Sequence, residues 1–398
     1  SYSGGFKGDF GTCSMKKSKF ICAVCAVFVL LAASAVPFAA FAEEELNQSE
    51  YENVLSGYDL SAFDELDGDS LALLKDLDLL DFDYKKLLDF SLSDVLVVFK
   101  NMVTDSIKAP LKGCAAVIVI IMLSALFQGF KQTVESGEMA STVSTVSAIA
   151  VSLILVSKIK FTVSAGCAAI EVCANFIYAF FPAFCIIVAA SGSTVAAFST
   201  NTLLLSMAQI LNFISQNIFM PLSNCFLALG ICSGIRNELN LGALISNLKK
   251  YLITAISVCS GVFISVLSIK TAVASRADAI GLRSIRFAIN SVVPVIGSAV
   301  SEGLLSIQAY SSLIRSSVGV AGIAAVAVLF LPPILQVMFW RLFLTLCASV
   351  SDIFGDKSVS CVLNAFADAF LIMNVILVLC TVTTIISIGI LIAAKGSV

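Results

Sequence analysis

VGVAGIAAVAVLFLPPILQVMFW, residues 318–340, runs for 23 residues without a charge and ends against Arg341. A helix rises about 1.5 Å per residue, so about 20 apolar residues cross the roughly 30 Å hydrocarbon core of a bilayer. This stretch is therefore a membrane helix, and its neighbours read the same way. Apolar blocks of similar kind cover 113–130, 141–157, 161–190, 195–214, 217–234, 251–269 and 366–393. Backbone polar groups find no water in lipid, which leaves helices for all of them. The block at 141–157 is the poorest, being rich in Ser and Thr. Residues 195–234 read as a hairpin around Gln216 to Pro221, and a re-entrant pair would leave the same trace.

Composition agrees. Hydrophobic residues make up 59% of the 398, charged residues 13%, and mean hydropathy is +0.99, far above a soluble domain. The expected fold is all-α: a polytopic helical membrane protein with about seven to eight membrane segments, some of them re-entrant. A formal charge of -3 conceals an asymmetry, because residues 43–100 hold 16 Asp/Glu against 4 Lys/Arg while residues 101–398 hold 16 Lys/Arg against 10 Asp/Glu.

The amino-terminal order is that of an exported protein. Met15 opens Lys16-Lys17-Ser18-Lys19, an apolar run follows from Phe20 to Val36, and Ala40-Phe41-Ala42 precedes three glutamates. That is the basic, apolar and small-residue succession of a signal peptide over 15–42, cleaved after Ala42. Residues 1–14 read as extraneous to it. Residues 43–108 form an acidic exported segment with two short amphipathic helices, and 109–398 the membrane domain.

One stretch interrupts the apolar pattern. In KTAVASRADAIGLRSIRFAINSVVPVIG, residues 270–297, Val273, Ile280 and Phe287 recur every seven residues, while Arg276, Arg283, Arg286 and Asn290 are spaced 7, 3 and 4 apart. A helix over 270–293 carries one apolar and one cationic stripe and lies along a surface. Pro294 disfavours helix at Val293, so the helix ends near Ser291 to Val293, and Gly297 follows. With all eight blocks crossing, Lys131, Arg236, Lys249, Lys250 and Lys357 fall inside and the Lys270 to Arg315 loop outside, against the positive-inside rule. Either an upstream block does not cross, 141–157 or one arm of 195–234 first among them, or these arginines serve something other than orientation.

Charged and polar groups within the blocks are the remaining candidates. Ser164, Cys167, Glu171, Asn175, Tyr178 and Pro182 fall on one helix face at spacings of 3, 4, 4, 3 and 4, and such a stripe must face protein or water. Arg341 can snorkel to an interface. Asn364 and Asp368 are one turn apart and can bond across helices.

Enzyme chemistry finds little support. The chain has no histidine, which removes Ser-His-Asp triads, HExxH zinc sites and haem ligation by His, and no GxxxxGK[ST] loop is present. We expect no catalytic residue, no cofactor, no metal site and no nucleic-acid partner. Thirteen cysteines, none of them in residues 43–108, supply no disulfide framework there.

The order of these parts resembles a known family. Signal, acidic exported segment and spans are followed by Asp278, Arg283, Phe287, Asn290, Pro294 and Gly297, then Glu302 and Ser317-Val318-Gly319-Val320-Ala321-Gly322. This looks like the stage III sporulation protein AE family of endospore-forming bacteria. The resemblance implies a multi-pass protein of the mother-cell membrane around the engulfed forespore. Its implied partners are other stage III sporulation A proteins and stage II sporulation protein Q, in a complex that links the two cells. It implies no catalytic residues. The residues themselves leave two functions open: a non-enzymatic component of a channel or secretion-like assembly that docks through its basic helix, with self-association left open, or a permease lined by the Glu171 stripe.

Overall fold

The computed structural model describes residues 92–130, 137–214, 242–292 and 297–393, with isolated positions at 56 and between 217 and 232. The signal peptide and most of the acidic exported segment lie outside the described residues. Every described element of any length is a helix. They are α1 (Leu92–Phe130), α2 (Gly137–Ala190), α3 (Thr194–Ile214), α4 (Gly242–Val292), α5 (Gly297–Ile353) and α6 (Lys357–Ala393). Five of them are long and apolar enough to cross a membrane, all but α3. These five are counted among the described residues alone, and the block at 217–234 lies largely outside them; two other blocks are joined. Blocks 141–157 and 161–190 are one helix of 54 residues, since Lys158 and Lys160 interrupt the apolar pattern without breaking the backbone. α1 likewise runs through residue 108 without a turn.

Phenylalanine rings and small residues build the core. Phe176, Phe180 and Phe184 stack at one-turn intervals on α2, with centroids 5.0 and 5.2 Å apart. Gly322 and Gly319 of α5 admit this stack: a methyl group on Gly322 would come within 2.5 Å of the Phe180 ring, and one on Gly319 within 2.5 Å of Ile392. Small residues at such points let membrane helices approach closely. Farther along, Trp340 stacks on Phe370 of α6 with centroids 6.0 Å apart, and Gly113 of α1 lies against the Trp340 indole. The Asn374 amide donates to the Ile334 carbonyl at 3.1 Å, next to Pro332-Pro333, and so ties α6 to α5 there. α5 and α6 are thus antiparallel neighbours over their length.

Among the described residues two turns join successive helices, and both use glycine in the left-handed region. Gly192 has φ of 92° and Gly355 a φ of 80°. At each, the helix ends in a paired closure: Gly192 N–H donates to Ala189 O and Ser193 N–H to Val188 O, and Gly355 N–H donates to Asp352 O and Asp356 N–H to Ser351 O. That is the Schellman arrangement, and it requires a residue without Cβ strain at the glycine.

Candidate functional site

α4 begins the site. Its end at Val292 falls where the Val293-Pro294 pair requires. The basic stretch is not a separate surface helix, however: it continues the apolar span 251–269 without a break. The apolar stripe is not the face that packs on the bundle. Val273 and Ile280 are 65% and 68% exposed, whereas Leu267, Thr271, Ala274 and Asp278 are buried. Those four recur at spacings of 4, 3 and 4, and they face α3. The reason is chemical. α3 starts with backbone N–H groups that have no helical acceptor, and Asp278 supplies one: its carboxylate accepts from Val195 N–H at 2.7 Å, Ala196 N–H at 2.9 Å and the Thr194 hydroxyl at 3.3 Å. One turn away, the Thr200 and Thr271 hydroxyls bond at 3.3 Å. An anion at a helix start also meets its positive dipole end.

Fixing that face turns the other outward. Arg276 and Arg283 are exposed, with Val273 and Ile280 beside them. Arg286 and Asn290 lie on the last turns of α4, where only the backbone is described, and Pro294 lies outside the described residues. Gly297 is the first residue of α5.

A second charged group lies deeper. Lys249 of α4 donates to Asp368 of α6 at 2.7 Å, with both side chains about three-quarters covered. Arg341 of α5, partly buried, is within electrostatic reach of the same carboxylate. Asp368 therefore bonds across helices as its position suggested, while Asn364 bonds Ser360 on its own helix. Arg341 is part of this node and not merely a snorkelling end.

Sequence reasoning missed two groups. Asp356 is 1% exposed; it caps α6 through Val359 N–H at 3.3 Å and accepts from the hydroxyls of Ser124 at 2.6 Å and Ser144. The signal was present, because Gly355-Asp356 is a helix stop followed by a helix cap. Arg315 is 3% exposed and donates to Ser191 Oγ at 3.0 Å, beside the Gly192 turn. Arg315 stands just before the apolar block 318–340 and is read as the end of a loop, and nothing local names Ser191.

The polar stripe on α2 splits. Glu171 and Asn175 are exposed on its outer side. An open pocket between α2, α3, α4 and α6, about 630 Å³, is instead lined by apolar groups such as Gly166, Ile170, Met207, Phe263, Met373 and Ile376. Among the described residues, no cluster of three or more metal-ligating side chains occurs.

The family model for stage III sporulation protein AE matches residues 78–395. The chain belongs to that family. Among curated proteins, stage III sporulation protein AE of Bacillus subtilis (strain 168) is 25% identical over 278 residues, covering 69% of this chain and 70% of that protein. No solved structure matches. Family membership assigns the chain a role in sporulation, and the apolar helices place it with membrane proteins. The match takes in Asp278, Lys249, Asp368 and Asp356 alike, so the caps and the charged node all lie within the family's region.

Proposed function

We propose that this chain is a non-enzymatic, multi-pass component of the channel or secretion-like complex between mother cell and forespore that endospore formation requires. In this reading it sits in the mother-cell membrane around the forespore with its acidic amino-terminal segment exported. Its partners are other stage III sporulation A proteins and stage II sporulation protein Q, by family resemblance, together with lipid headgroups. The observation that carries the reading is the outer ridge of α4. Arg276 and Arg283 alternate there with exposed Val273 and Ile280, while Asp278 on the opposite face locks the helix to α3. Apolar anchors among arginines are the composition of a protein-binding surface.

The test is joint reversal, Arg276→Glu, Arg283→Glu and Arg286→Glu. The variant inserts at the wild-type level, fails to co-purify with the partner proteins and forms no spores. Normal sporulation with intact co-purification removes the proposal.

The second reading, a permease working through Glu171, draws on that carboxylate in an apolar helix. Its support is thinner, because the cavity is lined by hydrocarbon and Glu171 faces away from the chain. Glu171→Gln separates the two: loss of transport with assembly intact favours the permease, and unaltered sporulation disfavours it.

A further inference from the structure

The pocket between α2, α3, α4 and α6 has a direction. Gly166 of α2 lies against Met373 of α6, and Gly319 of α5 lies against both Phe184 of α2 and Ile392 of α6. α2 and α6 therefore run parallel and nearly in register. α4 runs the same way: Lys249 near its start bonds Asp368, and Asp278 near its end caps α3, which leaves the far end of α2 through the Gly192 turn.

Each of these three helices enters the pocket one turn after a charged residue. On α4, Lys249 is followed at spacings of 3, 4, 3, 4 and 3 by Leu252, Ile256, Cys259, Phe263 and Val266, all of them lining the pocket. On α2, Lys160 precedes Val163 and Cys167 in the same way, and on α6 Asp368 precedes Ile372 and Ile376. Residues so spaced share a helix face, so the charges stand at one mouth of a slot whose walls are hydrocarbon. Asp368 is shared by Lys249 and Arg341. It leaves Lys160 and Lys250, both exposed, to attract an anion. Glu171, exposed one turn beyond Cys167, stands toward the other end and repels one there. Lys100, Asp105 and Lys108 are exposed on α1, a helix that lines no part of the pocket.

The slot lies within a membrane span. The 19 residues of α4 between Lys250 and Lys270 carry no charge, and at about 28 Å they match a hydrocarbon core of roughly 30 Å. Lysines at the ends of such a span reach the headgroups. From Leu252 to Val266 the slot is about 21 Å long, more than the half-core that one lipid leaflet fills. Its volume of about 630 Å³ spread over that length averages about 6 Å across, so a helix of about 10–12 Å rests on the rim while a single hydrocarbon chain enters.

We propose that this pocket binds an anionic phospholipid of the surrounding bilayer, with one acyl chain in the slot and the phosphate at Lys160 and Lys250. Basic groups beside a cleft between membrane helices have the chemistry of acidic-lipid sites. A zwitterionic lipid brings the same tail, but its own cation opposes the lysines. A soluble anion brings the charge and leaves the slot unfilled. The site is apart from the ridge of Arg276 and Arg283, and the proposal holds or fails independently of the docking assigned to that ridge.

The test uses the full chain in detergent, with phosphatidylglycerol or phosphatidylcholine of identical acyl chains added, and counts bound lipid by native mass spectrometry. The chain retains one phosphatidylglycerol at a lipid concentration roughly tenfold below that needed for phosphatidylcholine, and inorganic phosphate at the same concentration does not displace it. Lys160→Glu with Lys250→Glu brings the two lipids level. Ala255→Trp, which fills the slot from its α4 wall, loses the bound lipid, while Ser257→Trp, exposed on the same helix outside the pocket, keeps it. Val262→Trp repeats the block should Ala255→Trp fold poorly. Equal retention of the two lipids by the unaltered chain overturns the proposal, by reducing the pocket to ordinary bilayer contact. Retention undiminished by both slot-filling variants overturns it by placing the lipid elsewhere, and displacement by inorganic phosphate or the absence of any retained lipid overturns it too.

Discussion

The turns at Gly192 and Gly355 share a backbone and differ in everything that holds them. Both end a long helix with the same paired hydrogen bonds and a positive φ. At Gly355 the next residue, Asp356, caps its own helix and reaches outward to serines on α1 and α2. At Gly192 the residue in that place is Ser193, and the carboxylate that accepts from the first N–H groups of α3 arrives from Asp278, more than eighty positions later on α4. The lesson concerns range. A local carboxylate makes a turn that recruits the bundle, whereas a remote one lets the turn decide how another helix is oriented. The first is a matter of stability, and the second also sets which face of α4 meets the outside.

Substitutions can break this contrast in order of size. Asp356→Ala removes a cap and strands two hydroxyls in a buried network, and should cost about 3 kcal/mol, read from chemical unfolding in detergent. Asp278→Ala loses a cap alone, at about 1–2 kcal/mol, but it should also change the labelling pattern along α4, which Asp356→Ala leaves untouched. Gly355→Ala and Gly192→Ala each force a side chain into the left-handed region at about 1 kcal/mol. Equal losses there show that the two backbones are alike and that the caps alone differ. The smallest effect has the opposite sign. A methyl group on exposed Gly281 would meet nothing within 4 Å, so Gly281→Ala should raise stability by about 0.5–1 kcal/mol through helix propensity.

What could be read beforehand follows the same division between local and remote. Apolar length alone gives the helical membrane class, and the Pro294 rule gives the end of α4 to within a residue. The separation of blocks 141–157 and 161–190 is misjudged, because a pair of lysines interrupts the apolar pattern although the helix backbone runs through it. The face of α4 that packs on the bundle is not legible for a related reason. The heptad of Val273 and Ile280 gives an apolar stripe but says nothing of α3, which small residues and Asp278 contact from the other face. Asp368 is legible as a group needing a partner, and Lys249 is not legible as that partner, since 119 positions separate them. Arg315 and Ser191 repeat the point at the other end of the bundle.

Single-cysteine labelling along α4 tests the arrangement most directly. With reporters at Ala274, Arg276, Ile280 and Arg283 in the cysteine-free chain, a membrane-impermeant maleimide should react quickly at 276, 280 and 283 and slowly at 274, and Asp278→Ala should erase that difference. Rapid labelling at 274 together with protection at 276 and 283 in the isolated protein would mean that the basic ridge faces inward and the account of α4 is wrong.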